Sequence, residues 1–240
     1  MNRFYRISTL ALSMLMPAWA WGGDFTVTPV RIYMTPRDRA VAVTVVNEGA
    51  TDIVMQAELF SWNQKADGQD ELLATDDLVM APPIMTVPAR SRQVLRLMRL
   101  SPPPAGQEQT YRMLLREVPE AAARPEDAGM QIALAFSLPV FITPPGAKRN
   151  LSCSPTRLQD GAVAARCENK GMAYAQVRSV ALLNPAGDRL AGTDTPTYVL
   201  PQATRNIGLQ GAGRAPSGKV KLAATMDDGT IQNFEGNLSD

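Results

Sequence analysis

"MQIALAFSLPVFITPPG", residues 130–146, decides how the rest of the chain is read. Met130, Ile132, Leu134, Phe136 and Leu138 alternate with Gln131, Ala133, Ala135 and Ser137, so a strand over 130–142 has one apolar face. No charge interrupts the run from Met130 to Pro145. A strand this long and apolar should be buried, yet Pro139 lacks an amide hydrogen and points to a sheet edge. An apolar edge is a template for pairing with another chain, which most proteins blunt.

Working outward, short alternating runs recur on the N-terminal side, over 25–34, 41–47, 53–62, 83–87, 94–98 and 111–118. Turn chemistry separates them, as in Asn47-Glu48-Gly49 and Ala66-Asp67-Gly68. With 130–142 this makes seven strands in about 120 residues, the spacing of an immunoglobulin-like sandwich. Thr143-Pro144-Pro145-Gly146 is a stop. Beyond it the pattern restarts over 151–158, 162–168, 173–183, 197–200, 206–209, 219–225 and 230–234, a second sandwich of about 95 residues. Apolar residues at helical spacing are scarce, and 19 Pro with 17 Gly punctuate the chain, so the expected class is all-β. The first domain is placed at 21–145 and the second at 146–240. Asn169-Lys170-Gly171 echoes Asn47-Glu48-Gly49.

Residues 1–20 read as a cleaved export signal. Arg3 and Arg6 precede an apolar run from Ile7 to Met16, and Ala18-Trp19-Ala20 has the small-x-small form of a cleavage site. The run is short for a membrane span, and no later stretch is long and apolar enough to be one. The net charge of +1 gives no sign of nucleic-acid binding or of a polybasic membrane patch. In an exported chain, two cysteines point to one disulfide. Cys153 and Cys167 flank Asp160-Gly161, a hairpin signal that brings them nearly opposite. Closing so short a loop contributes about 3 kcal/mol in the chain-entropy account.

The chain has no His, which removes Ser-His-Asp and Cys-His nucleophiles and His-ligated metals. No catalytic residue, metal site or cofactor is expected. The acidic stretch 70–77 lacks the ligand spacing of a calcium loop and reads as a solvated connection. Asp227-Asp228-Gly229 reads as a hairpin turn, and Trp62 as the tryptophan packed between the sheets of a sandwich. Arg31 sits between apolar neighbours on an early strand. Arg112 and Arg116, four apart, share one face of a later strand, with Glu117 following.

These features together resemble the periplasmic pilus chaperones of the chaperone–usher pathway. The likeness is densest in Val45-Val46-Asn47, Gln56 with Trp62, Ala81-Pro82-Pro83, Gln93-Val94-Leu95-Arg96-Leu97, the run Tyr111 to Pro119 containing "LLREVP", and "QIALAFSLPVFITP". The resemblance implies two immunoglobulin-like sandwiches set as a boomerang. It implies that the last strand of the first is donated to a pilus subunit lacking its own final strand, with Met130, Ile132, Leu134 and Phe136 as the donated row. The implied partners are fimbrial subunits and an outer-membrane usher, and the implied compartment is the periplasm. The "SLPVFITP" form resembles the archaic branch, whose clients are often spore-coat-like subunits.

In this family an Arg and a Lys in the interdomain cleft hold the subunit's terminal carboxylate. Arg31 matches the Arg, while the Lys position falls at Pro139. Strand direction makes Arg112 the expected substitute, with Arg96 behind it. Glu117 and Asp227 match the acidic members of the family's interdomain ion-pair network, whose arginine falls at Thr143. Two other readings compete: an immunoglobulin-like adhesin or surface-structure protein, which needs an anchor or donor extension, and an exported hydrolase using paired carboxylates.

Overall fold

The alternating runs become strands, and no helix forms among the described residues of this computed structural model, 25–101, 106–118, 133–211 and 217–239. The export signal, Met130 and Ile132 lie outside them. Strands β1 (Phe25–Thr28), β3 (Ala40–Asn47), β8 (Arg92–Arg99) and β6 (Leu78–Ala81) form one sheet in the order β1-β3-β8-β6. The facing sheet runs β2 (Ile32–Met34), β10 (Ala135–Ile142), β9 (Gln109–Val118), β4 (Ile53–Gln64) and β5 (Asp70–Ala74), with β7 (Ile84–Val87) on β4. Val43, Val45, Leu95 and Leu97 from the first join Met55, Met113, Leu115 and Val140 from the second in one fully buried core.

The second sandwich repeats the plan. One sheet is β11 (Leu151–Arg157), β12 (Val163–Asn169) and β16 (Thr204–Gly208). The other is β14 (Arg189–Thr193), β13 (Ala175–Leu183), β17 (Gly218–Met226) and β18 (Ile231–Leu238), with β15 (Thr197–Val199) on β13. Cys153 and Cys167 are direct cross-strand partners on β11 and β12 and form the expected disulfide. Asp160 caps the hairpin turn by accepting from the Ala162 amide, and Gly161 takes φ 82° there.

Tertiary pairing departs from the local reading at three places. The expected strand over 25–34 is two strands in opposite sheets: β1 pairs β3, whereas β2 runs parallel to β10. The switch falls at Pro29-Val30-Arg31, where a residue without an amide hydrogen ends one ladder. The acidic connection contains β5, which extends the β4 hairpin. Of the strand expected over 130–142, the described residues form Ala135–Ile142, with 133 and 134 outside it, and 130–132 lie outside the described residues.

Candidate functional site: the open edge and the junction

The register of β10 shows which of its backbone groups are free. Glu117 N–H donates to the Leu134 carbonyl at 2.9 Å, and pairing then continues from Ala135↔Arg116 to Ile142↔Gln109. Antiparallel pairs alternate between exchanging and non-exchanging. Phe136, Leu138 and Val140 therefore bond to β9, while Ala135, Ser137 and Pro139 turn their backbone the other way. On that side β2 covers only Val140 to Ile142, and Thr143 N–H donates to the Met34 carbonyl. From Ala135 to Pro139 the edge has no strand beside it among the described residues. Pro139 is tolerated because its missing amide hydrogen falls on this unpaired side.

The side chains at this edge split as the alternation predicts. Leu134 and Phe136 are half-buried against the first core, with the Phe136 ring edge-on to Phe25 at 5.3 Å. Leu138 is buried, and Ala135 and Ser137 are exposed on the opposite face. The apolar row thus points inward at the lip of the sandwich, where its core is open on one side.

At the other end of the free edge two guanidinium groups meet. Arg112 on β9 is the direct partner of Pro139. Arg31 precedes Ile32, which pairs with Val140, so it flanks Pro139 from the β2 side. Both lie in the row whose neighbours, Ile32, Val140 and Tyr111, face the core; the arginines therefore take the outer face. Arg112 stacks on the Trp62 ring with its Cζ 3.7 Å from the centroid and donates to the Ser137 carbonyl at 3.3 Å. Burial holds its guanidinium below the ordinary arginine value, with Asp70 opposing; an arginine stays charged nonetheless. No carboxylate lies within 4.0 Å of Arg112 among the described residues. Arg31 donates to the Tyr33 hydroxyl at 3.1 Å and lies 3.8 Å from Asp227.

The outer face at this end is capped by the second sandwich. Trp62 and Phe141 pack on Leu200 and Ala203, with Tyr174 and Tyr198 against them. Phe141 stacks on Tyr174 at 4.0 Å, and Trp62 meets Tyr198 edge-on at 5.4 Å. Trp62 is therefore junction rather than sandwich core, a correction forced by its outward place on β4. Gln64 donates to the Tyr198 carbonyl and accepts from the Leu200 amide, both at 3.0 Å, and Arg205 meets Asp70 at 2.7 Å.

The acidic residues divide. Asp227 serves the junction, held by Arg149 at 3.3 Å while facing Arg31. Glu117 does not; it lies at the far end of β9, its carboxylate 3.4 Å from the Leu134 amide. A further junction carboxylate is Glu108, nine residues and about 30 Å earlier than Glu117 in an extended chain. It is 4% exposed, accepts from the Thr143 hydroxyl at 2.6 Å and from the Tyr174 amide at 2.8 Å, and burial raises its carboxyl above the ordinary value. Thr143, where the resemblance implied an arginine, supplies a neutral hydroxyl instead. Arg96 stands exposed on β8 in the opposite sheet and is not brought into the cluster. Arg116 pairs with Glu58 at 3.4 Å. Glu108 and Tyr198 escaped the sequence reading because neither belongs to a motif; the one local sign was a charge directly before an alternating strand.

Comparisons with known proteins agree with this architecture. The sequence model of a family described as pili and flagellar-assembly chaperone, PapD N-terminal domain, matches residues 24–148. A chain of the CsuC–CsuE chaperone–tip adhesion subunit pre-assembly complex, from the archaic chaperone–usher Csu pili of Acinetobacter baumannii, superposes with a TM-score of 0.68 at 22% identity. The match covers 90% of this chain and 99% of that one. The E. coli chaperone DraB gives 0.58 at 18% identity, covering 90% and 96%. A chain of the Salmonella enterica SafA pilin–SafB chaperone complex gives 0.58 at 18%, covering 88% and 94%. At these identities the likeness is one of fold. No curated protein matches the chain.

Proposed function

The chain belongs to the pili and flagellar-assembly chaperones of the PapD type, and on that premise we propose that its free β10 edge holds an incomplete, spore-coat-like fimbrial subunit. The observation that carries the reading is the backbone from Ala135 to Pro139, which no strand flanks among the described residues and which ends between Arg31 and Arg112. A subunit strand laid along it bonds to the outward-turned backbone of Ala135 and to the Ser137 amide, and supplies the missing ladder. Leu134 and Phe136, with Met130 and Ile132 further along, extend an apolar row into the subunit's open core. Burying that row offsets the ordering of both partners; each large side chain contributes about 2 kcal/mol.

The subunit's terminal carboxylate ends at the arginine pair. Desolvating a carboxylate is costly unless donors meet it. A guanidinium offers two parallel hydrogen bonds, and among the described residues no carboxylate lies within 4.0 Å of Arg112. Its Trp62 platform holds it in place, a contact worth about 1 kcal/mol or more when desolvated. The disulfide accords with an oxidising compartment, so the proposed site of action is the periplasm, with delivery to an outer-membrane usher.

The test is co-expression with the subunit encoded beside this chain. A soluble one-to-one complex that protects the subunit from proteolysis is the expected result. Arg31→Ala and Arg112→Ala each reduce recovery of that complex, and Arg31→Lys restores it only in part, because an ammonium cannot form the two-point fork. A subunit equally stable without this chain overturns the reading.

A further inference from the structure

Three tyrosines surround the arginine pair, and two are satisfied. The hydroxyls of Tyr33 and Tyr174 bond each other at 2.8 Å, and Tyr33 also accepts from Arg31. Tyr198 differs. Its hydroxyl has no hydrogen-bond partner among the described residues. Its ring lies 5.9 Å from the Arg31 Cζ and 5.6 Å from the Arg112 Cζ, so it is in contact range of both cations. It is also fixed: Gln64 of the first sandwich holds the Tyr198 carbonyl and the Leu200 amide just after it, and Trp62 and Phe141 pack on the ring.

We propose that the Tyr198 hydroxyl, contributed by the second sandwich, is a third donor to the carboxylate bound between Arg31 and Arg112. The inference rests on the carboxylate-anchor reading above. A carboxylate has about four lone-pair sites, more than two guanidinium groups on one side of it satisfy, and an O–H donor to an anion is short and strong. Burial raises the phenol above its ordinary value, with Arg31 and Arg112 opposing, so it keeps its proton and remains a donor at neutral pH. The consequence is that both sandwiches grip the same group. The anchor is complete only when the junction holds Tyr198 over the edge of the first sandwich.

The probe is an N-acetylated seven-residue peptide, Lys-Thr-Val-Thr-Val-Thr-Val, prepared as the free acid and as the C-terminal amide and titrated against full-length protein. The parent binds the free acid more tightly than the amide. Tyr198→Phe, which keeps the ring and its packing, weakens free-acid binding about tenfold and leaves amide binding and thermal unfolding unchanged. An undiminished preference for the free acid in Tyr198→Phe overturns the inference while the arginine anchor stands. Equal weakening of both peptides also overturns it, assigning the residue a packing role. A parent that binds both forms alike overturns the anchor and the inference with it.

Discussion

Asn47 in the first sandwich and Asn169 in the second occupy equivalent turns and do the same work. Each is buried, accepts from the amide two residues on, and donates to the carbonyl four residues on and to a carbonyl of a neighbouring strand end. The sandwiches part at their last strands. Both β10 and β18 lie beside a single full-length neighbour, but β18 carries Gln232, Asn233, Glu235 and Asn237, whereas β10 carries Ala135, Phe136, Ser137 and Leu138. One edge is blunted by polar and charged groups and the other is kept adhesive. A shared local device sets the common fold, and the chemistry of one edge strand sets the different use.

The largest effect that separates the two edges is a charge on the apolar one. Leu134→Asp places a carboxylate in the groove to be shared with the subunit, at a cost of several kcal/mol, and abolishes the complex. Asn233→Asp on exposed β18 leaves recovery unchanged. Co-purification with the subunit reads both, and equal losses would dissolve the distinction between the edges.

The disulfide sharpens the comparison from the side of stability. Replacing Cys153 and Cys167 together by Ala removes about 3 kcal/mol from the second sandwich alone. In calorimetry only one of two unfolding transitions should move. Loss of both transitions together would mean that the junction makes the two sandwiches a single cooperative unit.

The twin asparagines give a smaller and symmetric pair of effects. Asn47→Ala and Asn169→Ala each strand buried carbonyls and an amide, costing about 2 kcal/mol in the sandwich that holds the residue. Denaturant unfolding of the two variants should show similar losses. A loss at one site only would end the equivalence of the turns.

The smallest effect concerns pH at the junction. Burial raises the Glu108 carboxyl above its ordinary value of 4.5, so the folded form binds the proton more readily than the unfolded chain. Its contribution is therefore most favourable below that ordinary value and declines as pH rises through the raised one. Glu108→Gln removes the titrating group, keeps an acceptor for the Tyr174 amide, and flattens this part of the pH dependence of thermal unfolding. A variant whose melting temperature tracks pH as the parent's does would place the titration elsewhere.

Alternation, turn residues and cysteine spacing are local properties, and from them the sequence by itself determined an all-β chain, two sandwiches, the Cys153–Cys167 pair and the apolar edge strand. Arg31 came from the family resemblance, and Arg112 was also within reach, because antiparallel direction alone puts the start of β9 beside the end of β10. Other features depended on which strand lies beside which. The break at Pro29 sends β1 and β2 to opposite sheets, and Arg96 falls on the sheet that does not carry the edge. Trp62 falls out of phase with Met55, Ala57 and Leu59, which face the first core, and its outward face is buried by the second sandwich instead of exposed to water. Glu117 and Glu108 lie on or beside the same strand, and only the packing of the sandwiches against each other selects Glu108. Tyr198 reaches the arginines from far along the chain, through a junction built from Trp62, Phe141, Gln64 and Leu200. Side-chain period is written into neighbouring residues; the meeting of distant rows is set by register and domain packing, which no local pattern encodes.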